Sequence, residues 1–368
     1  MVTPAIQNQF AAAETIKNQD TPVKTSSSSS SSLPQESFRI HSLVAPGSGT
    51  PAATALTLPL LFQPFIANRI VVAAMSMYSS KDGFMTDFQL EHLGSYALHG
   101  ARLIFAEASA VEARGRITPG CAGIYSDNHV PGVKRVVDFV HSTGGKIGVR
   151  LFHAGRKIQD IVKAFGAAAV RADEAGMDTV EIQGAYGYLI HTFLSPITNH
   201  RTDRYGGSLE NRSRLLLEVV REVRANFSAE KPIFLRLSVS DCVEHLSNIS
   251  SIVIEEAVQV AQWAKDAGLD VIHGAAGENT PLEVIPRFPG YMVHYAARIR
   301  QDVPGFAVVA VGAINSAKQA QEIVEARKAD LVAAASAFLK RPTFALDAGR
   351  ELGVDVAYAP QYGFARRT

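Results

Sequence analysis

Short apolar runs alternate with amphipathic stretches over about 300 residues of this chain, and eight such runs predict a TIM (β/α)8 barrel. Several of the amphipathic stretches end in a Gly-Xaa-Asp step before the next run, and glycine there is a helix C-cap signal. A doubly wound sheet is the alternative, but it requires a glycine-rich turn after the first strand. Here the first strand leads into Met75-Ser-Met-Tyr78, which has no such turn.

The elements follow one another in regular order. The predicted strands cover residues 70–74, 103–106, 146–151, 179–183, 233–237, 270–273, 307–311 and 330–334. Helical periodicity fills the intervals, which gives predicted helices at 87–100, 133–142, 162–175, 209–227, 255–267, 291–300 and 317–326. The clearest helix is 209–227, where Ser208 is the predicted N-cap. Its apolar side is formed by Leu215, Leu216, Val219, Val220 and Val223.

The N-terminal segment differs in composition from the rest of the chain. Seven consecutive serines occupy residues 26–32, and a segment rich in Ala, Pro, Gly and Thr follows at 45–51. Such a composition buries too little apolar surface to offset the entropy of ordering. The sequence therefore predicts a disordered serine-rich arm at residues 1–55 and one barrel domain at 56–368.

Composition excludes several classes of function. The chain carries 36 Lys and Arg against 35 Asp and Glu, with no basic stripe, so a nucleic-acid partner is not expected. The polar N-terminus lacks the apolar core of a secretory signal, and no apolar run approaches the roughly 20 residues that span a bilayer. Two cysteines, Cys121 and Cys242, form no disulfide framework and no metal-binding spacing. A cytoplasmic protein without a metal site or membrane contact is the expectation.

Reactive groups in a TIM barrel lie where strands end and the following loops begin. The side chains at these positions are polar or aromatic to an unusual degree: Tyr78, Arg150, Gln183, Tyr186, Tyr188, Arg236 and Asp241. A buried guanidinium at Arg236 needs an anionic or polar partner, and Asp241 is the candidate partner within the chain. Without further information, Tyr188 and His191 would be interpreted as ordinary structural residues of the barrel.

A series of short motifs extends from residue 57 to the C-terminus and resembles the Old Yellow Enzymes, the FMN-dependent ene-reductases. The motifs are Asn68-Arg-Ile70, Met77-Tyr-Ser-Ser80, Glu107-Ala-Ser-Ala-Val111, Gly115-Arg-Ile-Thr118, His153-Ala-Gly-Arg-Lys157, Gly187-Tyr-Leu-Ile-His191, Phe193-Leu-Ser-Pro196, Arg201-Thr-Asp-Arg-Tyr-Gly-Gly207 and Glu210-Asn-Arg212. Together these motifs are specific enough that a chance match is not credible.

The resemblance implies an FMN lying over the barrel mouth, a small-molecule substrate and NAD(P)H as reductant. It places Arg236 near the flavin N1 and O2, Tyr78 on the substrate, and Tyr188 as the donor of a proton to the α-carbon of an activated alkene. The remaining implied cofactor contacts are Ala73, Ala74, Met75, Ser76, Ala108, Arg150, Gly312, Ala335 and Ser336. A homo-oligomer and a role in secondary metabolism are expected by analogy only.

Four departures from the family pattern bear on activity. Gln183 and Tyr186 stand where relatives place a histidine pair or a His/Asn pair that binds the substrate carbonyl. Arg150, which can only donate hydrogen bonds, replaces a glutamine at the flavin pyrimidine edge. Ala335 and Ser336 replace the Gly-Arg pair that holds the FMN phosphate, and the connection after Lys157 is short. The short connection should leave the site more open.

Three functions therefore stay open at the level of sequence. The first is an FMN oxidoreductase with an altered substrate range, which the intact segments around Tyr78 and Tyr188 favour. The second is a flavin-poor barrel that performs non-redox acid–base chemistry as an isomerase or cyclase. The third is a catalytically inactive member that binds a metabolite or a partner. Arg150 and Ser336 favour the second and third.

Overall fold

A computed structural model describes residues 68–155, 160–354, 356, 358, 359 and 362 of the chain. The predicted serine-rich arm at 1–55 and the short connection at 156–159 lie outside these described residues. Within the described part, no helix is long and apolar enough to cross a membrane.

Eight parallel strands close into a barrel in which every strand pairs with its sequence neighbours and the last pairs with the first. The predicted TIM barrel is thus confirmed. The strands are β1 (Ile70–Val72), β2 (Leu103–Ala110), β3 (Lys146–Phe152), β4 (Thr179–Gly184), β5 (Ile233–Ser238), β6 (Val271–Ala275), β7 (Ala307–Ala310) and β8 (Leu331–Ala334).

Helices connect the strands, and their buried faces cover the outside of the barrel. They are α1 (Asp87–Leu98), α2 (Val130–Ser142), α3 (Ile161–Glu174), α4 (Leu189–Leu194), α5 (Leu209–Asn226), α6 (Ile254–Asp266), α7 (Val293–Asp302), α8 (Ala317–Glu325), α9 (Ser336–Lys340) and α10 (Phe344–Glu351). In α5 the side chain of Ser208 accepts the N–H of Asn211, and the five residues predicted to form its apolar side are all buried.

The structure differs from the predicted elements mainly on the carboxyl side of the first two strands. The predicted strand at 70–74 ends at Val72, because the chain leaves the ladder after Ala73 donates to the carbonyl of Ala334 at 3.0 Å. The second strand, predicted to end at residue 106, continues to Ala110 through a bulge at Glu107. The short helices α4 and α9, and the C-terminal α10, were not predicted, since runs of this length carry little helical periodicity.

Aromatic and aliphatic side chains fill the barrel interior below its carboxyl rim. Phe105 of β2 and Phe234 of β5 meet edge to face with ring centroids 5.1 Å apart. They belong to a buried cluster with Val71, Leu103, Val271, Val309 and Leu331. This apolar layer closes the barrel below the carboxyl rim, so the polar side chains nearer the rim lie above a hydrophobic surface.

Aspartates stabilise the opposite, amino end of the barrel. Asp178 accepts the N–H of Ile147 at 2.9 Å, Asp270 accepts that of Ile233 at 2.8 Å, and Asp330 accepts that of Val308 at 3.0 Å. Each aspartate directly precedes its own strand and accepts the first or second backbone amide of the neighbouring strand. The Gly-Xaa-Asp steps at Asp178 and Asp270 therefore serve strand pairing as well as helix termination.

Candidate active site

The first polar residues of the carboxyl rim lie on the loop that follows β1. Ala73 is buried and Ala74, Met75 and Ser76 are partly buried, which leaves a low surface beside Ala108 of β2. The carboxylate of Glu107 accepts the backbone N–H of Met77 at 3.2 Å and the side-chain amide of Gln89 at 2.8 Å. These contacts hold the loop that presents Tyr78.

Tyr78 has an unusual backbone conformation for a tyrosine. Its φ of +53° lies in the left-handed region, and its side chain is 47% exposed at the mouth of the barrel. Strain of this kind costs of order 1 kcal/mol or more and persists only where surrounding contacts enforce it. The Glu107 carboxylate, accepting from the backbone just before Tyr78, supplies such a contact.

Register brings five polar side chains onto the inner face of the barrel. Arg150 pairs in register with Glu181, and Gln183 pairs with Arg236, which in turn pairs with His273. Paired residues on neighbouring strands point to the same face, as do Glu181 and Gln183 two residues apart. All five are at most 5% exposed.

Arg150, Glu181 and His273 form one connected group on the inner face of the barrel. Arg150 donates from Nε to Glu181 at 2.5 Å and from Nη1 to the carbonyl of Ala74 at 3.4 Å, so its guanidinium contacts the loop that follows β1. The other oxygen of Glu181 lies 3.0 Å from Nδ1 of His273. Burial alone would raise the pKa of Glu181, but the Arg150 guanidinium and His273 hold it at about 2. Burial, with Arg236 close by, lowers the pKa of His273 to about 4, so the imidazole is neutral at pH 7.

Arg236 finds a different partner from the one suggested by the sequence. Its Nη2 donates to the phenol oxygen of Tyr186, and its guanidinium carbon lies 4.9 Å from the centre of the Tyr186 ring. Asp241 instead lies 3.2 Å from Nε2 of His191 and accepts from Ser195 at 2.7 Å. The expectation of an Arg236–Asp241 ion pair is therefore wrong, and the guanidinium of Arg236 forms no salt bridge with a carboxylate of the described residues.

Buried polar atoms without a hydrogen-bond partner converge on this rim. Among the described residues they are Arg150 Nη2, Arg236 Nε, Gln183 Oε1 and His273 Nε2. A buried donor or acceptor left unpaired costs about 1–3 kcal/mol, more if charged, so four in one place indicate a ligand that satisfies them. Unpaired buried polar atoms also occur elsewhere in the described chain, on Arg102 at the amino end of β2 and on the neighbouring side chains of Arg212, Ser213 and Glu256, but these do not lie at the carboxyl ends of the strands.

The turn after β4 places two tyrosines over these groups. Tyr186 and Gly187 have φ of +61° and +68°, and the Gly187 N–H donates to Nδ1 of His191 at 2.9 Å. Tyr188 packs against Phe152 with ring centroids 5.7 Å apart. Burial, reinforced by the nearby Tyr78 and Glu278, raises the pKa of Tyr188 to about 12. The phenol therefore keeps its proton across the physiological range.

The residues expected at an FMN phosphate form a separate part of the rim. Gly312 has a φ of +115° and packs directly against Met292, while Ala335 precedes Ser336, the first residue of α9. Ser336 lies 3.4 Å from the side-chain oxygen of Asn315, and Nη2 of Arg341 lies 3.5 Å from the Asn315 carbonyl. Arg341 follows α9 and is not among the site residues predicted from the sequence, because nothing in its local pattern marks it as a rim residue.

The carboxyl rim thus carries small residues after β1, unpaired guanidinium nitrogens at the strand ends and a tyrosine that keeps its proton. A family model for the NADH:flavin oxidoreductase / NADH oxidase family matches residues 60–159 and 156–353. The chain belongs to this family, the Old Yellow Enzyme family, with FMN as cofactor and NAD(P)H as reductant. The two matched segments meet at 156–159, where the sequence suggests a short connection.

Relatives and solved structures agree with that assignment. The chain is 38% identical over 327 residues to an NADPH dehydrogenase of Halalkalibacterium halodurans, covering 81% of this chain and 94% of the relative. It is also 38% identical over 328 residues to an NADPH dehydrogenase of Bacillus subtilis, with the same coverage. Morphinone reductase superimposes with a TM-score of 0.68 at 25% identity, covering 85% of this chain and 93% of that one.

The rim residues fit the isoalloxazine better than they fit the phosphate of FMN. Arg150 Nη2 and Arg236 Nε can donate to the carbonyl and ring-nitrogen acceptors of a pyrimidine edge, and Gln183 Oε1 can accept from its N–H. At the phosphate end, Ser336 offers a hydroxyl in place of the guanidinium that the family resemblance implies. Losing one charge-assisted contact weakens binding by about 1.5–3 kcal/mol.

Proposed function

We propose that this protein reduces an activated alkene in a small metabolite, using NAD(P)H through FMN, and that its context is secondary metabolism. The observation that carries the proposal is that unpaired atoms of Arg150, Arg236 and Gln183 lie at the same carboxyl end of the strands as Tyr188, a tyrosine that keeps its proton. Bound FMN would accept a hydride from NAD(P)H and pass it to the β-carbon of the alkene. The protein residues then have three tasks: to bind the substrate carbonyl, to supply the proton and to stabilise negative charge.

Tyr188 is the proton donor in this proposal. A phenol whose pKa is about 12 holds its proton until a developing carbanion, a much stronger base, lies beside it. Its edge-to-face contact with Phe152 fixes the ring, and its backbone position is fixed by the turn at Gly187. Tyr78, on the strained loop across the mouth, contacts the other side of the substrate.

Tyr186 and Gln183 together replace the missing imidazoles as carbonyl-binding groups. The Tyr186 oxygen accepts a hydrogen bond from the Arg236 guanidinium, which leaves its own O–H free to donate to a substrate oxygen. A hydroxyl that accepts from a cation becomes a stronger donor, because successive hydrogen bonds polarise one another. The Tyr186–Arg236 pair therefore compensates in part for the absence of a histidine.

The decisive experiment is spectroscopic. Purified protein, reconstituted with FMN, should show the oxidised flavin band and lose it on anaerobic addition of NADPH or NADH. Adding an electron-poor alkene should restore the band with formation of one equivalent of reduced product. A colourless protein that binds no added FMN would reject the proposal.

The same experiment tests the isomerase or cyclase alternative, which one observation favours. Arg150 is paired with Glu181, and no cationic side chain stands at position 336, so two FMN contacts that the family resemblance implies would be weakened. Under that alternative, the flavin-free protein would convert an enone-containing substrate to an isomer without consuming NAD(P)H. Stoichiometric NAD(P)H consumption separates the two functions.

A further inference from the structure

Two arginines project into the barrel interior from the strands on either side of β4, although a single one would suffice to stabilise one negative charge. Arg236 approaches from β5 and Arg150 from β3, and both interact electrostatically with Glu181 of the intervening strand. Each has a buried nitrogen without a partner, Nη2 in Arg150 and Nε in Arg236. The site is therefore built to receive acceptor atoms from two directions.

The charges of the cluster do not cancel. Glu181 is ionised and His273 is neutral at pH 7, as their lowered pKa values of about 2 and about 4 require. Two guanidinium ions then face one carboxylate, which leaves one positive charge in a region where these side chains are at most 5% exposed. An uncompensated buried charge is costly, so the site favours a ligand that carries or acquires negative charge.

We propose that Arg150 acts beside Arg236 as a second guanidinium on the pyrimidine edge of FMN and raises the reduction potential of the bound flavin. The inference rests on the proposed function, since it requires that FMN occupies the rim. Its geometric support is the contact of Arg150 Nη1 with the carbonyl of Ala74, at 3.4 Å, which places the guanidinium against the loop that follows β1. Reduction adds negative charge to that edge, and two adjacent cations stabilise the reduced form more than one.

The consequence is a restricted class of substrates. A flavin of higher potential is readily reduced by NAD(P)H but is a weaker hydride donor to the alkene. The site also lacks the imidazole pair that polarises a carbonyl, since Gln183 and Tyr186 stand there. Only alkenes that are already strongly electron-poor, such as those flanked by two carbonyl groups or bearing a nitro group, should then accept the hydride efficiently.

The test compares the two-electron midpoint potential of bound FMN in the wild type, Arg150→Gln, Arg150→Lys and Arg102→Gln, with binding of oxidised and reduced FMN measured in parallel. Arg102 is the matched control, since it is a buried arginine with unpaired nitrogens located at the amino end of β2. We expect Arg150→Gln to lose about tenfold in its preference for reduced over oxidised FMN, or about 30 mV for a two-electron couple. Arg150→Lys should keep most of the potential, and Arg102→Gln should match the wild type.

Equal potentials in the wild type and Arg150→Gln would overturn the inference, as would an Arg150→Lys value as low as that of Arg150→Gln. If Arg150→Gln does not fold, the wild type still provides a test, because equal affinity for reduced and oxidised FMN in the wild type would overturn the inference. Anaerobic reoxidation adds a second readout. In the wild type, a maleimide should reoxidise the reduced flavin faster than cyclohexenone does, and the ratio of the two rates should be smaller in Arg150→Gln. Protein that binds FMN and is bleached by NADPH, but lacks these shifts, refutes only the inference and leaves the proposed function intact.

Discussion

At the scale of single residues, Tyr188 combines the two properties that a proton donor needs, a fixed position and a retained proton. Phe152 holds the ring, and burial raises the pKa to about 12. Sequence resemblance could suggest the role, but the pKa depends on burial and on the approach of Tyr78 and Glu278 from other loops. The raised pKa of Tyr188 therefore follows from the folded structure and not from the local sequence.

Replacing Tyr188 by Phe removes the proposed proton donor while preserving the ring and its packing. We expect the rate of flavin reoxidation by the alkene to fall by about 100-fold or more, with the rate of reduction by NADPH unchanged. Stopped-flow measurement of the two half-reactions separates these steps. Because the phenol loses its proton only near pH 12, the wild-type reoxidation rate should show no fall attributable to tyrosine between pH 7 and 10.

Tyr205→Phe is the control for this variant, since Tyr205 lies in the loop between α4 and α5 and its hydroxyl donates to Glu218 of α5. Its half-reactions should match those of the wild type. Full reoxidation activity in Tyr188→Phe would assign the proton to another group.

Arg341 offers a second prediction for a single residue. It shares the contact with Asn315 that also engages Ser336, so it lies near enough to contribute a cation at the phosphate end. Arg341→Ala should weaken FMN binding by about 10-fold to 100-fold, the equivalent of one charge-assisted contact. Riboflavin, which lacks the phosphate, should bind both proteins equally. Lys340→Ala is the control. This role would be contradicted by an equal loss of affinity for riboflavin and FMN in Arg341→Ala, or by a loss of FMN affinity no larger than that in Lys340→Ala.

At the scale of elements, the turn from β4 to α4 is held by close backbone contacts. A β-carbon at Gly187 would collide with the carbonyl of Glu278 on the loop after β6, and the φ of +68° disfavours any other residue. His191 of α4 accepts the Gly187 N–H and joins Asp241 of the next loop. The positions of Tyr186 and Tyr188 thus depend on three loops at once.

Gly187→Ala should therefore cost more stability than the same change at Gly207. Gly207 has a similar φ of +82°, but a β-carbon there would meet no atom within 4 Å, so it reports backbone strain alone. We expect about 1 kcal/mol at Gly207 and at least about 1 kcal/mol more at Gly187, measured by chemical denaturation. Alkene reoxidation should also slow in Gly187→Ala only. Equal losses of stability at the two glycines would show that the loop after β6 moves to accommodate the β-carbon without a cost in free energy.

The aspartates at the amino end of the strands allow a prediction about pH. Burial alone would raise the pKa of Asp178, but hydrogen bonds from His141, Lys146 and the Ile147 amide lower it. A lowered folded-state pKa means that the carboxylate stabilises the fold above the unfolded pKa of about 4 and loses this contribution as pH falls through the folded value. Asp178→Asn should cost about 1–2 kcal/mol at pH 7, and the difference from wild type should shrink below about pH 4.

Asp138→Asn is the control, because Asp138 forms an exposed pair with Lys134 on α2. Exposed pairs contribute little, so this variant should lie within about 0.5 kcal/mol of the wild type at every pH. A constant cost of Asp178→Asn between pH 7 and pH 3 would mean that the carboxylate charge is not responsible.

At the scale of the whole molecule, the fold could be predicted from the sequence more completely than the site. Eight apolar runs and their intervening helical periodicity suffice for the barrel, because strand number and alternation leave few other closed arrangements. The partner of Arg236 could not be predicted, since Tyr186 and Asp241 both lie on neighbouring strand ends and only the turn at Gly187 decides between them. The Arg150–Glu181 pair depends on the register of β3 and β4, which the sequence does not specify.

The two ends of the barrel should respond differently to cofactor removal. The unpaired nitrogens of Arg150 and Arg236 lie at the carboxyl rim, whereas the aspartates of the amino end pair with backbone amides of the described strands. FMN at about 1,000 times its Kd should raise the free energy of unfolding by about 4 kcal/mol, and adenosine monophosphate, which has no isoalloxazine, should not. Because distant sites contribute additively, Asp178→Asn should cost the same with and without FMN, to within about 0.5 kcal/mol. A larger difference in denaturation experiments would mean that the rim and the amino end are energetically coupled through the packed layer of Phe105 and Phe234.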